Sequence, residues 1–288
     1  MKQRISIILP AFNEGDSISS VIKEIKASLS NIDYDYEIIV VDDASLDSTG
    51  QIAEREGVKV IAHTQQRGYG AAVKTGIKNS DGQLVAIIDA DGSYAASDLL
   101  TLIEQLKDND MVVGARIKPG AKIDWLRKIA KLFLTLLASY LVEAKIPDLN
   151  SGLRIMKRDE LMRFLNILPN KFSLTTTTTL AFLDSNLRVK FIPVDYRKRR
   201  GGKSKIRPIY DTLNFIQLII RTVIYFNPLR IFVPLSLLFL LLGIGVFLYS
   251  RLFLAKVMDI TTVILLVSSI QILSIGMIAD AIIRKQNR

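Results

Sequence analysis

The stretch Leu84-Val-Ala-Ile-Ile88, running straight into Asp89-Ala-Asp91-Gly92, decides the fold. A short apolar run that stops at acidic residues and a glycine reads as a strand buried on both faces and ending in a loop. The same grammar occurs twice upstream, in Ile5-Ser-Ile-Ile-Leu9 before Pro10-Ala-Phe-Asn-Glu14 and in Glu37-Ile-Ile-Val-Val41 before Asp42-Asp43. The first run is too short for a signal-peptide core and has no small-residue cleavage pattern after it. Between the strands, Ile18, Val21, Ile22, Ile25 and Leu29 have helical spacing. Residues 47–56 read as a helix, Val58–Ile61 as a strand, Gly68-Tyr-Gly-Ala-Ala-Val as a helix start and Met111–Gly114 as one more strand. Strand, loop and helix repeating at this interval predict an α/β domain with a mostly parallel sheet and helices on both faces. Such sheets gather functional groups at the carboxyl ends of their strands. Glu14, Asp42, Asp43, Asp89 and Asp91 therefore share one edge.

Composition narrows the chemistry. The 288 residues weigh 32.2 kDa, which suits one catalytic-size domain with an appendage. No cysteine is present, which excludes a disulfide scaffold, Cys-ligated zinc and a thiol nucleophile. The single histidine, His63, excludes a multi-His metal site and is read as a loop residue rather than a catalyst. Any metal must then sit on carboxylates, which favours Mg²⁺ or Mn²⁺.

The charge is uneven. Net charge is +10, yet residues 1–196 hold 24 Lys/Arg against 25 Asp/Glu, while residues 197–288 hold 14 against 3. The apolar runs lie in the same C-terminal third. Ile231–Tyr249 is nineteen residues without a charge, and Ile260–Ile283 is twenty-four residues with only Asp280 charged. A hydrocarbon core about 30 Å thick needs about 20 helical residues, so each run is long enough to span. A loop of only Arg251–Asp259 makes them a hairpin. Arg197–Arg207 packs seven basic residues into eleven and precedes the first span, while Arg284, Lys285 and Arg288 follow the second. The positive-inside rule puts both chain ends, and the catalytic domain, on the cytoplasmic side of the cell membrane as a multi-pass protein. Residues 122–143 form an apolar helix with early basic residues and Trp125, suited to a membrane interface or to a core. A helix over about 208–226 is expected along the membrane, and it leaves self-association into an oligomer open. The domain reading is 1–207 catalytic, 208–228 interface helix and 229–288 transmembrane hairpin.

Asp89-Ala-Asp91 is a DxD motif at a strand end. Two such carboxylates can hold a divalent cation, and the cation a diphosphate. With Pro10–Glu14 and Asp42-Asp43 on the neighbouring strands, the set can grip a nucleoside diphosphate. In this order PAFNE (10–14), VDDAS (41–45), RGYGAA (67–72), DADG (89–92) and Asn150-Ser-Gly-Leu-Arg154 resemble the family 2 inverting glycosyltransferases of GT-A (Rossmann-like) fold. Within them the chain is similar to dolichyl-phosphate mannosyltransferases and their bacterial polyprenyl-phosphate relatives. The resemblance spans residues 4–207, and Arg199–Lys205 resembles that subgroup's RxxGxSK motif.

The resemblance implies roles. Pro10, Ala11, Asn13, Glu14, Asp42 and Asp43 bind the nucleotide sugar. Asp89 and Asp91 bind Mg²⁺ or Mn²⁺ with the diphosphate. Arg116 approaches the donor phosphates or the acceptor. Ser151 and Arg154 face the acceptor phosphate, and Arg199, Ser204 and Lys205 close over the phosphates. Asp91, Arg116, Arg154, Arg199 and Lys205 form the catalytic set. Relatives often carry Gln two residues after the DxD as a further metal ligand; here that residue is Ser93. The implied reaction moves a sugar from a GDP-mannose- or UDP-glucose-type donor to a polyprenyl phosphate. A lipid phosphate is already an anion at neutral pH, so placement and charge relief by arginine can replace a general base. The partners are then the donor, the lipid acceptor and the bilayer. Competing readings are a glycolipid or polysaccharide acceptor, a sugar-nucleotide-binding membrane protein without turnover, and a nucleic-acid binder. The last is disfavoured because residues 197–207 lack interleaved aromatics. Thr175–Thr179 suits a strand or a stiff helix start and reads as structural. Gly68 and Gly70 read as turn and packing positions rather than a phosphate cradle, because the pattern is not a Walker loop.

Overall fold

The computed structural model describes residues 3–30, 32–117, 135–136, 138–140, 142–170, 173–197, 217, 220–221, 223–225, 227–254 and 259–286. The chain divides into two compact units, Met1–Tyr140 with Ala144–Phe215, and Leu141–Glu143 with Ile216–Arg288.

The first unit is built on seven strands: β1 (Arg4–Ala11), β2 (Asp35–Asp42), β3 (Lys59–Ala62), β4 (Leu84–Ile87), β5 (Met111–Ala115), β6 (Arg154–Lys157) and β7 (Val189–Pro193). Their spatial order is β3-β2-β1-β4-β6-β5-β7. All pairings are parallel except those of β6, which runs antiparallel to β4 and β5. The mostly parallel expectation holds, and the antiparallel insertion of β6 is the departure from it. β1 shows why the sheet is central: from Ile5 to Ala11 every residue is buried, as a strand covered on both faces requires. Helix α1 (Ile18–Leu29) turns Ile18, Val21, Ile22, Ile25 and Leu29 into the core, at the spacing read from the sequence. Helices α2 (Thr49–Arg55), α3 (Tyr69–Lys78) and α4 (Ser97–Gln105) connect the following strands, and α5 (Arg158–Phe164) and α6 (Leu174–Asp184) precede β7.

The threonine run lies in α6 and is wholly buried. Thr177, Thr178 and Thr179 each donate their hydroxyl to the carbonyl four residues back, which lets β-branched polar residues sit in a helix interior without an orphaned group. Of the helix read at 122–143, the described residues 135, 136, 138–140 and 142 are helical, and the rest lies outside the described residues. Most of the helix read at 208–226 lies outside them too, with 217, 220–221 and 223–225 helical.

The second unit carries α7 (Leu229–Phe253) and α8 (Asp259–Gln286). Both are long and apolar enough to cross a membrane, with mean hydropathies of 2.7 and 2.2. They pack through a reciprocal pair of hydrogen bonds: Ser236 Oγ donates to Ser269 O at 2.9 Å and Ser269 Oγ to Ser236 O at 3.0 Å. Small polar residues at such a crossing let backbones approach in an apolar solvent.

Candidate active site

The site lies at the carboxyl edge of β1, β2, β4 and β5. Pro10 and Ala11 end β1 opposite Val41 and Asp42. Beyond them Asn13 takes a left-handed backbone with φ 56°. Its side-chain oxygen accepts Leu46 N at 2.7 Å, and its own N–H donates to Ser45 Oγ at 2.9 Å. Glu14 N donates to Thr49 Oγ1 at 2.8 Å, and Asp42 Oδ1 accepts Ser45 N at 2.9 Å. The loops after β1 and β2 are thus laced into one rim.

Asp43, read as a nucleotide contact, is engaged within the chain. Its side chain is 5% exposed, and its oxygens accept Arg67 N at 2.8 Å and Gly68 N at 2.7 Å while His63 Nδ1 lies 2.7 Å away. His63 Nε2 lies 2.9 Å from Thr75 Oγ1. Asp43 and His63 therefore clamp the turn that opens α3. Gly68 adopts φ 97° there, a backbone region that costs glycine little.

That turn delivers Tyr69, whose hydroxyl donates to Asp89 Oδ1 at 3.2 Å. Asp91 Oδ1 accepts Ser93 N at 2.9 Å, and Asp91 is 3% exposed. The Asp89 carboxylate lies flat against Gly152: a Cβ on that glycine would sit 2.2 Å from Asp89 Oδ2. Among the described residues no group of three or more His, Asp or Glu gathers to hold a metal. The DxD loop offers two carboxylates, Asp89 and Asp91. Two hard oxygen ligands fit a Mg²⁺ or Mn²⁺ ion that keeps waters and takes its other ligands from a diphosphate.

Arg116 follows β5. Its Nε and Nη2 fork onto Asp148 at 2.7 and 2.9 Å, and its backbone N–H reaches the same carboxylate at 3.0 Å. Burial opposes its charge, but the Asp148 hydrogen bonds and charge outweigh it and hold the guanidinium well above its ordinary pKa. Its side chain is 24% exposed, against 1% for Asp148.

Ser151 and Arg154, read as facing the acceptor phosphate, are held by hydrogen bonds within the chain. Both are fully buried. Ser151 Oγ donates to Gly114 O at 2.5 Å. Arg154 donates to Ser151 O at 2.6 Å, Thr175 O at 2.9 Å and Thr179 Oγ1 at 3.3 Å. Burial pulls its pKa down, and Tyr69, Tyr94, Asp148 and Asp89 act against that shift. Arg154 opens β6 opposite Ile87 and Val113, and its side chain leaves the sheet to pack against α6 at Thr175 and Thr179. Arg199, Ser204 and Lys205 lie outside the described residues. Three residues escaped the sequence reading. Asp148 orients Arg116, Tyr69 braces Asp89, and Tyr94 joins Ser151 and Gly152; an aspartate two residues before Asn150-Ser-Gly was the only signal for any of them.

A largely parallel sheet whose carboxyl edge holds a rim of acidic groups, a DxD loop and a carboxylate-oriented arginine defines a GT-A glycosyltransferase. The chain belongs to glycosyl transferase family 2, whose model matches residues 6–164. Residues 227–284 match the GtrB C-terminal hairpin, which makes the second unit a membrane-associated one. An uncharacterised glycosyltransferase of Mycobacterium bovis is 30% identical over 70% of this chain and 89% of its own length. An undecaprenyl-phosphate 4-deoxy-4-formamido-L-arabinose transferase of Edwardsiella ictaluri is 28% identical over 79% of this chain and 70% of its own. A dodecaprenyl-phosphate galacturonate synthase of Rhizobium johnstonii is 26% identical over 99% of this chain and 89% of its own. Among solved structures, glucosyl-3-phosphoglycerate synthase of Mycobacterium tuberculosis shares the fold, with a TM-score of 0.60 at 23% identity over 77% of this chain and 79% of that one, in a complex with Mn²⁺, UDP and glucosyl-3-phosphoglycerate.

Proposed function

We propose that the chain transfers one sugar from a nucleoside-diphosphate donor, of the GDP-mannose or UDP-glucose type, to a polyprenyl phosphate. The reaction takes place at the cytoplasmic face of the cell membrane, inverts the anomeric carbon and gives a polyprenyl-phosphate monosaccharide. The observation that carries this reading is continuity. The relative named for dodecaprenyl phosphate aligns with nearly the whole chain, so catalytic domain and hairpin travel together.

On this reading Pro10, Ala11, Asn13, Glu14 and Asp42 line the nucleoside side of the rim. Asp43 acts one step back, by fixing the Gly68 turn. Asp89 and Asp91 would hold Mg²⁺ or Mn²⁺, which supplies charge stabilisation to the leaving diphosphate. Tyr69 and the Ser93 N–H fix the two carboxylates in place, so little reorganisation is needed at the moment of transfer. Arg116, with two of its nitrogens committed to Asp148, offers the third to a phosphate oxygen. An acceptor phosphate oxygen then attacks the anomeric carbon from the face opposite the diphosphate, and the sugar–diphosphate bond breaks with the electron pair leaving on the nucleotide. No proton has to be removed, which agrees with the histidine being held by Asp43 and Thr75. Arg199, Ser204 and Lys205 are assigned to the phosphates by their RxxGxSK resemblance. Arg154 and Ser151 are assigned to support rather than contact.

The hairpin tethers the chain to the bilayer that holds a lipid phosphate. The basic stretch adds attraction to anionic lipid, at about 1 kcal/mol per residue near the surface. The test is transfer of radiolabel from a panel of UDP- and GDP-sugars to polyprenyl phosphate, in detergent with Mg²⁺ or Mn²⁺. A metal-dependent labelled lipid is expected; donor binding without transfer from any donor overturns the reading.

A further inference from the structure

Tyr94 makes contacts in three directions that the reaction itself leaves unexplained. It follows Ser93 directly after the DxD loop and is 2% exposed. Its ring meets that of Tyr196 edge-on, with centroids 5.2 Å apart at 69°. The two residues also form an isolated antiparallel bridge, and Arg197 N donates to Ser93 O at 2.8 Å. Arg197 is where the basic stretch begins. The Arg116 guanidinium stands 5.2 Å over the Tyr196 ring.

The hydroxyl end reaches the opposite way. Gly152 N donates to Tyr94 Oη at 2.9 Å, and Ser151 Oγ lies 3.1 Å from the same oxygen. Ser151 Oγ in turn donates to Gly114 O. Ser151 Oγ has one proton and gives it to Gly114 O, so Tyr94 is the donor between the two hydroxyls: Gly152 N–H to Tyr94, Tyr94 O–H to Ser151, Ser151 O–H to Gly114 O. It starts at the residue that lies against Asp89 and ends on β5, the strand that leads into Arg116. Buried chains of this kind strengthen along their length, and breaking one link strands the next group.

We propose that Tyr94 is a positioning residue that couples the donor side of the site to the acceptor side. Its hydroxyl fixes Gly152 against Asp89. Its ring fixes Tyr196, and through Tyr196 both Arg116 and the root of the basic stretch. This deepens the transfer reading and rests on it, but the coupling can also be read without substrate.

The experiment uses the full chain in detergent. Amide exchange is followed at Gly152 and over residues 195–197, and steady-state transfer to polyprenyl phosphate is measured alongside thermal unfolding. Tyr94→Phe keeps the ring and removes the hydroxyl. It is expected to speed exchange at Gly152 and lower kcat, each by about tenfold, with the acceptor KM and residues 195–197 held. Ser151→Ala, one link further on, is expected to reproduce that pattern. Tyr94→Leu is expected to speed exchange at Arg197 as well and raise the acceptor KM about tenfold. Tyr196→Ala raises that KM without touching Gly152, and Tyr196→Phe restores it. Unchanged exchange at Gly152 in Tyr94→Phe overturns the coupling, and so does an equal change of kcat and KM in both Tyr94 variants. A wild type that makes no labelled lipid sinks the transfer reading alone, because the exchange data still decide for or against Tyr94.

Discussion

Gly152→Ala tests the geometry of the DxD loop with a single methyl group. An added Cβ would lie 2.2 Å from Asp89 Oδ2, 2.3 Å from Oδ1 and 2.4 Å from Cγ. Ordinary van der Waals separation lies beyond 3 Å, so the carboxylate has to retreat by about 1 Å. It cannot do so freely, because Tyr69 OH holds Oδ1 at 3.2 Å. A shift of that size at a reacting centre costs about 10²-fold in rate, equivalent to about 2.7 kcal/mol in activation free energy. The overpacking itself costs stability by about 1–3 kcal/mol. The assay is labelled-sugar transfer at saturating donor, titrated with Mn²⁺ in parallel with denaturant unfolding. The expected result is a kcat down about 10²-fold and a weakened Mn²⁺ dependence in a protein that still folds. A Gly152→Ala enzyme with wild-type kcat and metal dependence refutes the reasoning, since Asp89 would then not need the position it holds.

Three further outcomes are expected. Asp91→Asn removes one of two candidate metal carboxylates and should lower metal-dependent transfer by at least about 10²-fold, with the fold retained by circular dichroism. Asp148→Asn leaves Arg116 half-buried without its anion; a loss of about 1–3 kcal/mol in denaturant unfolding is expected, together with a raised acceptor KM. Asp110 gives a pH prediction. Burial alone would raise its pKa, but hydrogen bonds from Lys157 Nζ and Arg188 N, both at 2.8 Å, hold it below the ordinary carboxylate value. A depressed folded pKa means the unfolded chain binds the proton more readily, so this contribution is present above about pH 4 and lost as the pH falls further. Asp110→Asn should therefore flatten the acid limb of a stability-against-pH curve and leave its neutral part lower; an unchanged limb contradicts this.

Much of the fold was legible because its signals are local. Apolar runs ending in acidic residues marked β1, β2 and β4, and length without charge marked the two long helices. The rest depended on pairings across sequence distance. Nothing in Arg154-Ile-Met-Lys157 signals a strand between β4 and β5, because a strand opening on arginine has no apolar periodicity to show. Resemblance assigns Arg154 to the acceptor phosphate, and nothing local in the sequence shows that the carbonyls of Ser151 and Thr175 enclose it. Asp43 stood beside Asp42 in sequence and looked equivalent to it. Alternation along the strand end turns the two carboxylates to different tasks, one at the rim and one under α3. Arg116 and Asp148 are 32 residues apart, and no spacing rule connects them.

The most direct test of the account is acceptor choice. Purified chain, labelled donor and Mn²⁺ are given equal amounts of polyprenyl phosphate, the matching polyprenol and a glycolipid, and the products are resolved with their anomeric configuration. The account predicts label in the phosphate lipid alone, inverted relative to the donor. Label in the glycolipid, or a product that retains the donor configuration, would contradict it.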